Sequence, residues 1–310
     1  MTVFFHTIFL ILSLLVVIKS ADLAIKYSSR LAKNLGISNH IVGFMVIAFI
    51  SILPETLIAI TSALEGSPSF GLGTLFGSNV ADLTLVFAMV TFFSWRSIKI
   101  GSKILTSSYW YILVLILPLF FGFNGHFSRL EGLLLIVTGS LFYFWLLRRE
   151  RRALTGTNYI FSFKYLLYLV ISMAILLLGA HLTVKYGLSV AQELRVNPIL
   201  IGMLVVGLGT TLPEMFFSVK AVRHHYDSLA LADILGTVLS DATIVVGLVA
   251  VISPFDFNPR IIYITGLFML CAALFLFQFM RTDKKLTKRE AILLVLFYLL
   301  FVVTEFLINK

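Results

Sequence analysis

Cysteine is almost absent from this sequence. Cys271 stands alone in an apolar run, which excludes a disulfide framework and a cysteine metal site. Charge is scarce too: 13% of the 310 residues are charged, and Asp and Glu together number 15. No water-soluble domain of this size needs so little charge beside 59% hydrophobic residues and a mean hydropathy of +1.02. Met1–His6 has no Lys or Arg, and nothing downstream resembles a small-residue cleavage site. The first apolar run is therefore expected to be a membrane helix and not a signal peptide. What fills the chain instead is a succession of apolar runs of about 20 residues, each long enough to cross a bilayer core as a helix. This predicts an all-α, polytopic membrane protein in which the 29 phenylalanines face lipid or pack between helices.

Ten spans are expected, at 3–25, 41–64, 69–93, 108–123, 130–147, 164–187, 198–220, 228–252, 261–280 and 289–308. With both termini outside, the inner loops collect 18 basic residues, among them Arg96, Lys103, Arg148–Arg152, Arg281 and Lys285, against 5 on the outer side. That is the positive-inside pattern. The net charge of +9 is thus topological, and no nucleic-acid partner is expected. The spans divide into a first unit over 1–150, a short cytoplasmic linker over 151–163 and a second unit over 164–310. A compact chain of this kind fits the inner (plasma) membrane, as a monomer.

At a constant offset of 159, Leu53-Pro54-Glu55 falls on Leu212-Pro213-Glu214, Gly43 on Gly202, Gly77 on Gly236, Asp82 on Asp241 and Thr84 on Thr243. From Ala21 to Val86 there are 17 identities in 66 positions without a gap. The chain is an internal duplication. Five spans per half is an odd number, so the second copy enters the membrane inverted, a recurrent design of secondary transporters with sites near the midplane.

Pro54 and Pro213 each remove an N–H from a helix and free the carbonyl four residues back, that of Ile50 and of Gly209. Freed carbonyls survive in a membrane only where protein or a water-filled cavity lines them, which predicts Pro-broken helices at the midplane. Glu55 follows Ser51 by one turn, and Glu214 follows Thr210. Thr74, Ser78 and Asp82 share a helix face, as do Asp233, Thr237 and Asp241. Carboxylate, hydroxyl and carbonyl oxygens with almost no nitrogen or sulfur select hard cations, and flexible oxygen-rich geometry suits Ca2+ over Mg2+. Two carboxylates about 5 Å apart repel by roughly 3 kcal/mol at an effective dielectric near 20. An ion-free site is therefore expected to hold one or more protons.

Several residues carry plainer expectations. Gly73 and Gly77 have the spacing of a close helix crossing. Ser51, Ser78, Thr210 and Thr237 are able to bond their own backbones. His224 and His225 read as a solvated turn. Asp233 stands between ion entry and helix capping, with Thr74 at its repeat position. Glu65, Glu290 and Glu305 lie near helix ends and are expected to reach the interface, while Asp22 and its repeat partner His181 have no assigned role.

The two copies resemble the alpha repeats of the cation/calcium exchanger superfamily, most closely its compact prokaryotic sodium/calcium exchangers. ILPE (Ile52–Glu55) with GTLFGSNVAD (Gly73–Asp82) and GTTLPE (Gly209–Glu214) with DILGTVLSD (Asp233–Asp241) carry the resemblance. It implies alternating access, with Ca2+ and Na+ as transported ions, no cofactor and no enzymatic activity. Glu55 and Glu214 would bridge Ca2+, and Ser51, Ser78, Asp82, Thr210, Thr211, Thr237 and Asp241 would line the neighbouring positions. Two departures keep H+ open as the counter-ion. Ile52 stands where the family has a small polar residue, kept as Thr211 in the second copy, and Asp82 stands where many sodium-coupled members carry asparagine. A passive divalent channel and an intramembrane aspartyl protease built on Asp82 and Asp241 are the competing readings. The protease leaves Glu55 and Glu214 unexplained.

Overall fold

Apolar runs with few internal breakers satisfy their backbone groups as helices, and helices dominate here. The computed structural model of the chain describes residues 2–34, 52–94, 98–99, 108–149, 163–223, 227–282 and 285–308. In the first half, α1 (Thr2–Asn34) and α2 (Leu53–Leu64) precede α3 (Pro68–Ala81). A π-helical turn over Asp82–Val86 joins α3 to α4 (Phe87–Phe93). There follow β1 (Ile98–Lys99), α5 (Ser108–Phe121), β2 (His126–Phe127) and α6 (Arg129–Arg149).

In the second half, α7 (Phe163–Leu194) precedes α8 (Pro198–Leu200), a π-helical segment over Ile201–Val206 and α9 (Gly207–Arg223). Next come α10 (Asp227–Ser240), a π turn over Asp241–Val245 and α11 (Val246–Ile252). The chain continues with β3 (Phe255–Asp256), a π turn over Ile262–Gly266, α12 (Leu267–Thr282), β4 (Lys285–Leu286) and α13 (Lys288–Ile308).

The offset of 159 holds well beyond the stretch where identities are visible. It carries α3 onto α10, the π turn opening at Asp82 onto the one opening at Asp241, α4 onto α11, β2 onto β4 and α6 onto α13, boundary for boundary. Even the helix starts agree. Ser128 and Glu131 form a reciprocal capping box at α6, with Ser128 N donating to Glu131 Oε2 at 2.8 Å and Glu131 N to Ser128 Oγ at 3.3 Å. Thr287 and Glu290 repeat it at α13, at 2.7 and 3.4 Å.

The repeat-related helices α1 and α7 pack antiparallel along their length. Phe9 stacks on Tyr186 at 5.1 Å, Thr183 donates to Ser13 at 3.1 Å, and Tyr27 meets Tyr168 at 4.9 Å. Two short antiparallel ladders tie one half to the other: β1 pairs with β4, and β2 with β3. Because α12 lies between β3 and β4, the ladders sit at opposite ends of that helix.

Among the described residues, seven helices are long and apolar enough to cross a membrane: Val3–Ala24, Pro68–Phe93, Phe163–Leu194, Pro198–Arg223, Asp233–Ile252, Ile262–Arg281 and Lys288–Ile308. The other three expected spans fall on the shorter apolar helices Leu53–Leu64 and Trp110–Asn124 and on α6. Phenylalanine takes both expected roles: Phe70, Phe76 and Phe87 are buried, whereas Phe4, Phe120 and Phe216 are exposed on helix surfaces.

Pro213 does not break its helix, contrary to the expectation. α9 runs on from Gly207 to Arg223, because a proline removes only its own N–H while the flanking bonds of the helix persist. The irregular backbone lies earlier, in the π segment over Ile201–Val206. Pro54 occupies the first turn of α2, where an N–H has no intrahelical partner to lose. Ile50, whose carbonyl Pro54 was expected to free, lies outside the described residues.

The centre of the fold is α3, buried along one unbroken stretch from Phe70 to Ala81. Gly73 and Gly77 let it cross the start of the α8–α9 span at backbone contact, as their spacing predicted. A Cβ on Gly73 would come within 2.8 Å of the Ile199 carbonyl, and one on Gly77 would strike the Met203 carbonyl. Gly77→Ala is therefore expected to destabilise the protein by about 1–3 kcal/mol, the usual cost of overpacking. Gly209→Ala meets only the flexible Leu14 side chain at 3.3 Å and should cost far less. Thermal melting of the two variants in detergent checks the difference.

Candidate functional site

Seven carboxylates are buried among the described residues; Asp227 and Glu305 apart, they are Glu55, Asp82, Glu214, Asp233 and Asp241. Glu55 sits in the first turn of α2, placed there by Pro54. Asp82 and Asp241 each open a π turn directly after a fully helical stretch, so the same local irregularity aims both side chains. Thr84 and Thr243 brace these turns alike, donating to the carbonyls of Val80 and Leu239 at 2.5 and 2.6 Å. Glu214 projects from the middle of α9.

The two copies are wired across each other. Glu55 of the first faces Thr210 of the second, Asp82 faces Glu214, and Asp241 faces Ser78. These are neighbours at electrostatic range and not closed hydrogen bonds. Both oxygens of Glu55, Asp82, Asp233 and Asp241, and Oε2 of Glu214, are buried without a hydrogen-bond partner. Glu214 Oε1 accepts from Thr237 Oγ1 at 3.1 Å.

The other hydroxyls donate into their own helices, as Ser and Thr in membrane helices often do. Ser78 donates to Leu75 O at 3.0 Å, Thr210 to Gly207 O at 3.0 Å, and Thr211 to Gly207 O at 2.7 Å. Such bonds orient these groups without using them up. A hydroxyl that gives its proton to a carbonyl keeps its lone pairs for a cation.

Among the side chains that the structure describes, no lysine, arginine or histidine is buried to answer this negative charge. Nor do any three His, Cys, Asp or Glu side chains among them converge tightly enough to hold one metal ion. An ion held here would have to take its oxygens from facing pairs, with hydroxyls completing the shell. Uncompensated carboxylates in a water-poor interior are costly, and hard cations or protons are the species that relieve them.

The structure thus gathers Glu55, Ser78, Asp82, Thr210, Thr211, Glu214, Thr237 and Asp241 in its buried interior, at the junction of the copies. Ser51, His224 and His225 lie outside the described residues. Ile52 is buried and offers no side-chain oxygen at the position of Thr211. Asp233 belongs to the second turn of α10, not its first, so the capping alternative falls.

Glu305 was expected to reach the interface and does not: it is 1% exposed and accepts from Thr265 Oγ1. The π turn that carries Thr265 closes over it. His181 Nδ1 lies 2.6 Å from Glu65 Oε1, and both His181 and its repeat partner Asp22 are exposed. Two tyrosines escaped the sequence reading. Tyr111 donates to Leu235 O at 2.7 Å and Tyr143 to Gly236 O at 2.5 Å, holding α10 beside the site. No spacing signal marked them, because their partners are distant in sequence.

The family model described as sodium/calcium exchanger protein matches residues 5–147 and 164–307. The sodium/calcium exchanger MaX1 of Methanosarcina acetivorans is 25% identical over 343 aligned positions, covering 96% of this chain and 98% of its own. The putative antiporter CaxA of Alkalimonas amylolytica is 27% identical over 260, covering 80% and 81%. Among solved structures, the sodium-calcium exchanger NCX_Mj soaked with Na+ and Sr2+ superposes with a TM-score of 0.70 at 21% identity, over 97% of this chain and 98% of that one. The H+/Ca2+ exchanger CAX superposes with a TM-score of 0.76 at 15% identity, over 97% and 82%. At these identities the two structures speak for the fold.

Thr237→Val removes the hydroxyl that donates to Glu214 and leaves a carboxylate oxygen without a donor. The expected effect is a loss of about 1.5–3 kcal/mol of stability, the range for a hydrogen bond to a charged group. Denaturation of the purified variant beside wild type measures it.

Proposed function

The chain belongs to the sodium/calcium exchanger family, and we propose that it is a secondary active antiporter that moves Ca2+ across the membrane in exchange for Na+. The observation that carries this reading is the set of buried carboxylates with unpartnered oxygens at the junction of the two copies. Glu55 and Glu214 hold the Ca2+. Asp82, Asp241, Ser78, Thr210, Thr211 and Thr237, with Ser51, supply the adjoining ion positions.

The chain acts as two inverted repeats, 1–150 and 164–310, joined by a cytoplasmic linker over 151–163. The antiparallel α1 and α7 support the inversion, as do ladders at opposite ends of α12. Inverted copies give two nearly equivalent packings, one open to each side, which is the physical basis of alternating access around a fixed site. The protein works as a monomer in the inner (plasma) membrane with both termini outside. The excess of Lys and Arg in alternate loops supports that orientation.

One specific feature favours protons as counter-ion. Asp82 faces Glu214, so two acids meet where a carboxylate and a neutral amide would repel less. Exchange of Ca2+ for H+, or of another divalent cation for H+, is the second reading. A passive divalent channel comes third.

Uptake of 45Ca2+ into proteoliposomes loaded with Na+ decides between them, run beside vesicles that carry only a pH gradient. Na+-driven uptake is expected, abolished by Glu55→Gln and by Glu214→Gln. Uptake driven only by the proton gradient would make this a proton-coupled exchanger, and flux with neither gradient a channel. Protons and Ca2+ compete for the same oxygens, so the apparent Ca2+ affinity should fall as pH is lowered from about 8 to about 6. A titration that is flat across this interval would overturn the competition.

A further inference from the structure

Asp233 is a buried acid that the duplication does not explain. It is 4% exposed, both its oxygens lack hydrogen-bond partners, and Thr74 occupies its place in the first copy. Its charge lies near enough to act on Glu214 and Asp82. The surroundings follow from helix register. α9 and α10 are consecutive helices joined through residues 224–226 and packed as an antiparallel pair. The hydrogen bond from Thr237 to Glu214 fixes which residues stand opposite.

One turn from that bond toward the connecting residues, α9 presents Ser218 and α10 presents Asp233, about 6 Å along the axis. Ser218 is fully buried, and its Oγ also lacks a partner. Helix register thus sets two carboxylate oxygens and one hydroxyl oxygen on the facing sides of the pair, with no hydrogen bond closed between them and Glu214 Oε2 one turn away.

We propose that Asp233 and Ser218 form a second cation position, a capture site for a hard divalent cation on its way between Glu214 and the side of the membrane where α9 ends and α10 begins. This rests on the exchanger reading and adds a direction to it. The first copy has no such device. The repeat partners of Ser218 and Asp233 are Ala59 and Thr74, and the Thr74 hydroxyl donates to Phe70 O at 3.0 Å. At this pair of positions, carboxylate charge therefore extends the central site toward one face only. A site with one carboxylate binds more weakly than one with two facing pairs, which suits an ion that is handed on. The two positions are filled in succession, since two divalent ions one helical turn apart repel strongly.

The test is sided. Half-saturating Ca2+ for counter-ion-driven uptake is measured in everted and in right-side-out membrane vesicles, for wild type, Asp233→Asn and Ser218→Ala. Asp233→Asn should raise it about tenfold when Ca2+ approaches from the face where α9 ends and α10 begins, and less than twofold from the other face. Ser218→Ala should shift it about two- to threefold with the same sidedness. No shift in either orientation, or an equal shift in both, overturns the capture site. If Asp233→Asn fails to accumulate in the membrane, Ser218→Ala decides by itself, since alanine is well tolerated in a helix. Absence of saturable, counter-ion-dependent uptake by wild type in both vesicle types would instead remove the exchanger reading beneath the proposal. Loss in Glu214→Gln from both faces marks the central site as intact in wild type.

Discussion

Negative charge held away from water, with no buried side-chain cation among the described residues to meet it, is the constraint on which the rest of this structure depends. An ion pair would neutralise Glu55 or Asp82 permanently and leave nothing to exchange. Carboxylates that face hydroxyls and one another at electrostatic range remain dependent on a mobile partner. The surrounding helices supply what such an arrangement requires. α3 is buried along nearly its whole length, glycines bring it against the α8–α9 span, and two tyrosines fix α10 by its carbonyls.

Duplication solves the construction problem twice with one set of instructions. The π turns at Asp82 and Asp241 begin at repeat-equivalent positions, and the threonines that brace them are equivalent as well. Among the many positions where the copies differ, three belong to the candidate site. Ile52 replaces the hydroxyl of Thr211, Ser78 bonds its own helix while Thr237 bonds Glu214, and Thr74 stands opposite Asp233. A transporter with perfectly matched halves would treat its two sides alike. These substitutions leave the shared scaffold unchanged.

Much of this was legible before any coordinates. Few acids in a long apolar chain stand out, so Glu55, Asp82, Glu214 and Asp241 announced themselves, and a single offset paired them. The identities faded after Val86 because helix surfaces facing lipid accept any apolar residue. The capping boxes at Ser128 and Thr287 show the duplication continuing there in residue type. Pro213 misled, since one missing hydrogen bond does not break a packed helix. Glu305 misled in another way: nearness to a helix end says nothing about what packs over it, and here Thr265 does. The tyrosine contacts and the register of Ser218 against Asp233 depend on tertiary packing, which spacing along the chain does not encode.

The two ladders have a consequence for biosynthesis. Each is built from one strand of either half, so neither closes within a half. Ile98 waits for Leu286, which is made roughly 190 residues later. At about 5–20 residues per second, that delay is on the order of 10–40 s. During it the first half sits in the bilayer with its acids already inserted and the carboxylates and hydroxyls that face them not yet made. The nascent chain therefore passes through a stage in which Asp82 must be shielded by lipid-bound water, a proton or the insertion machinery.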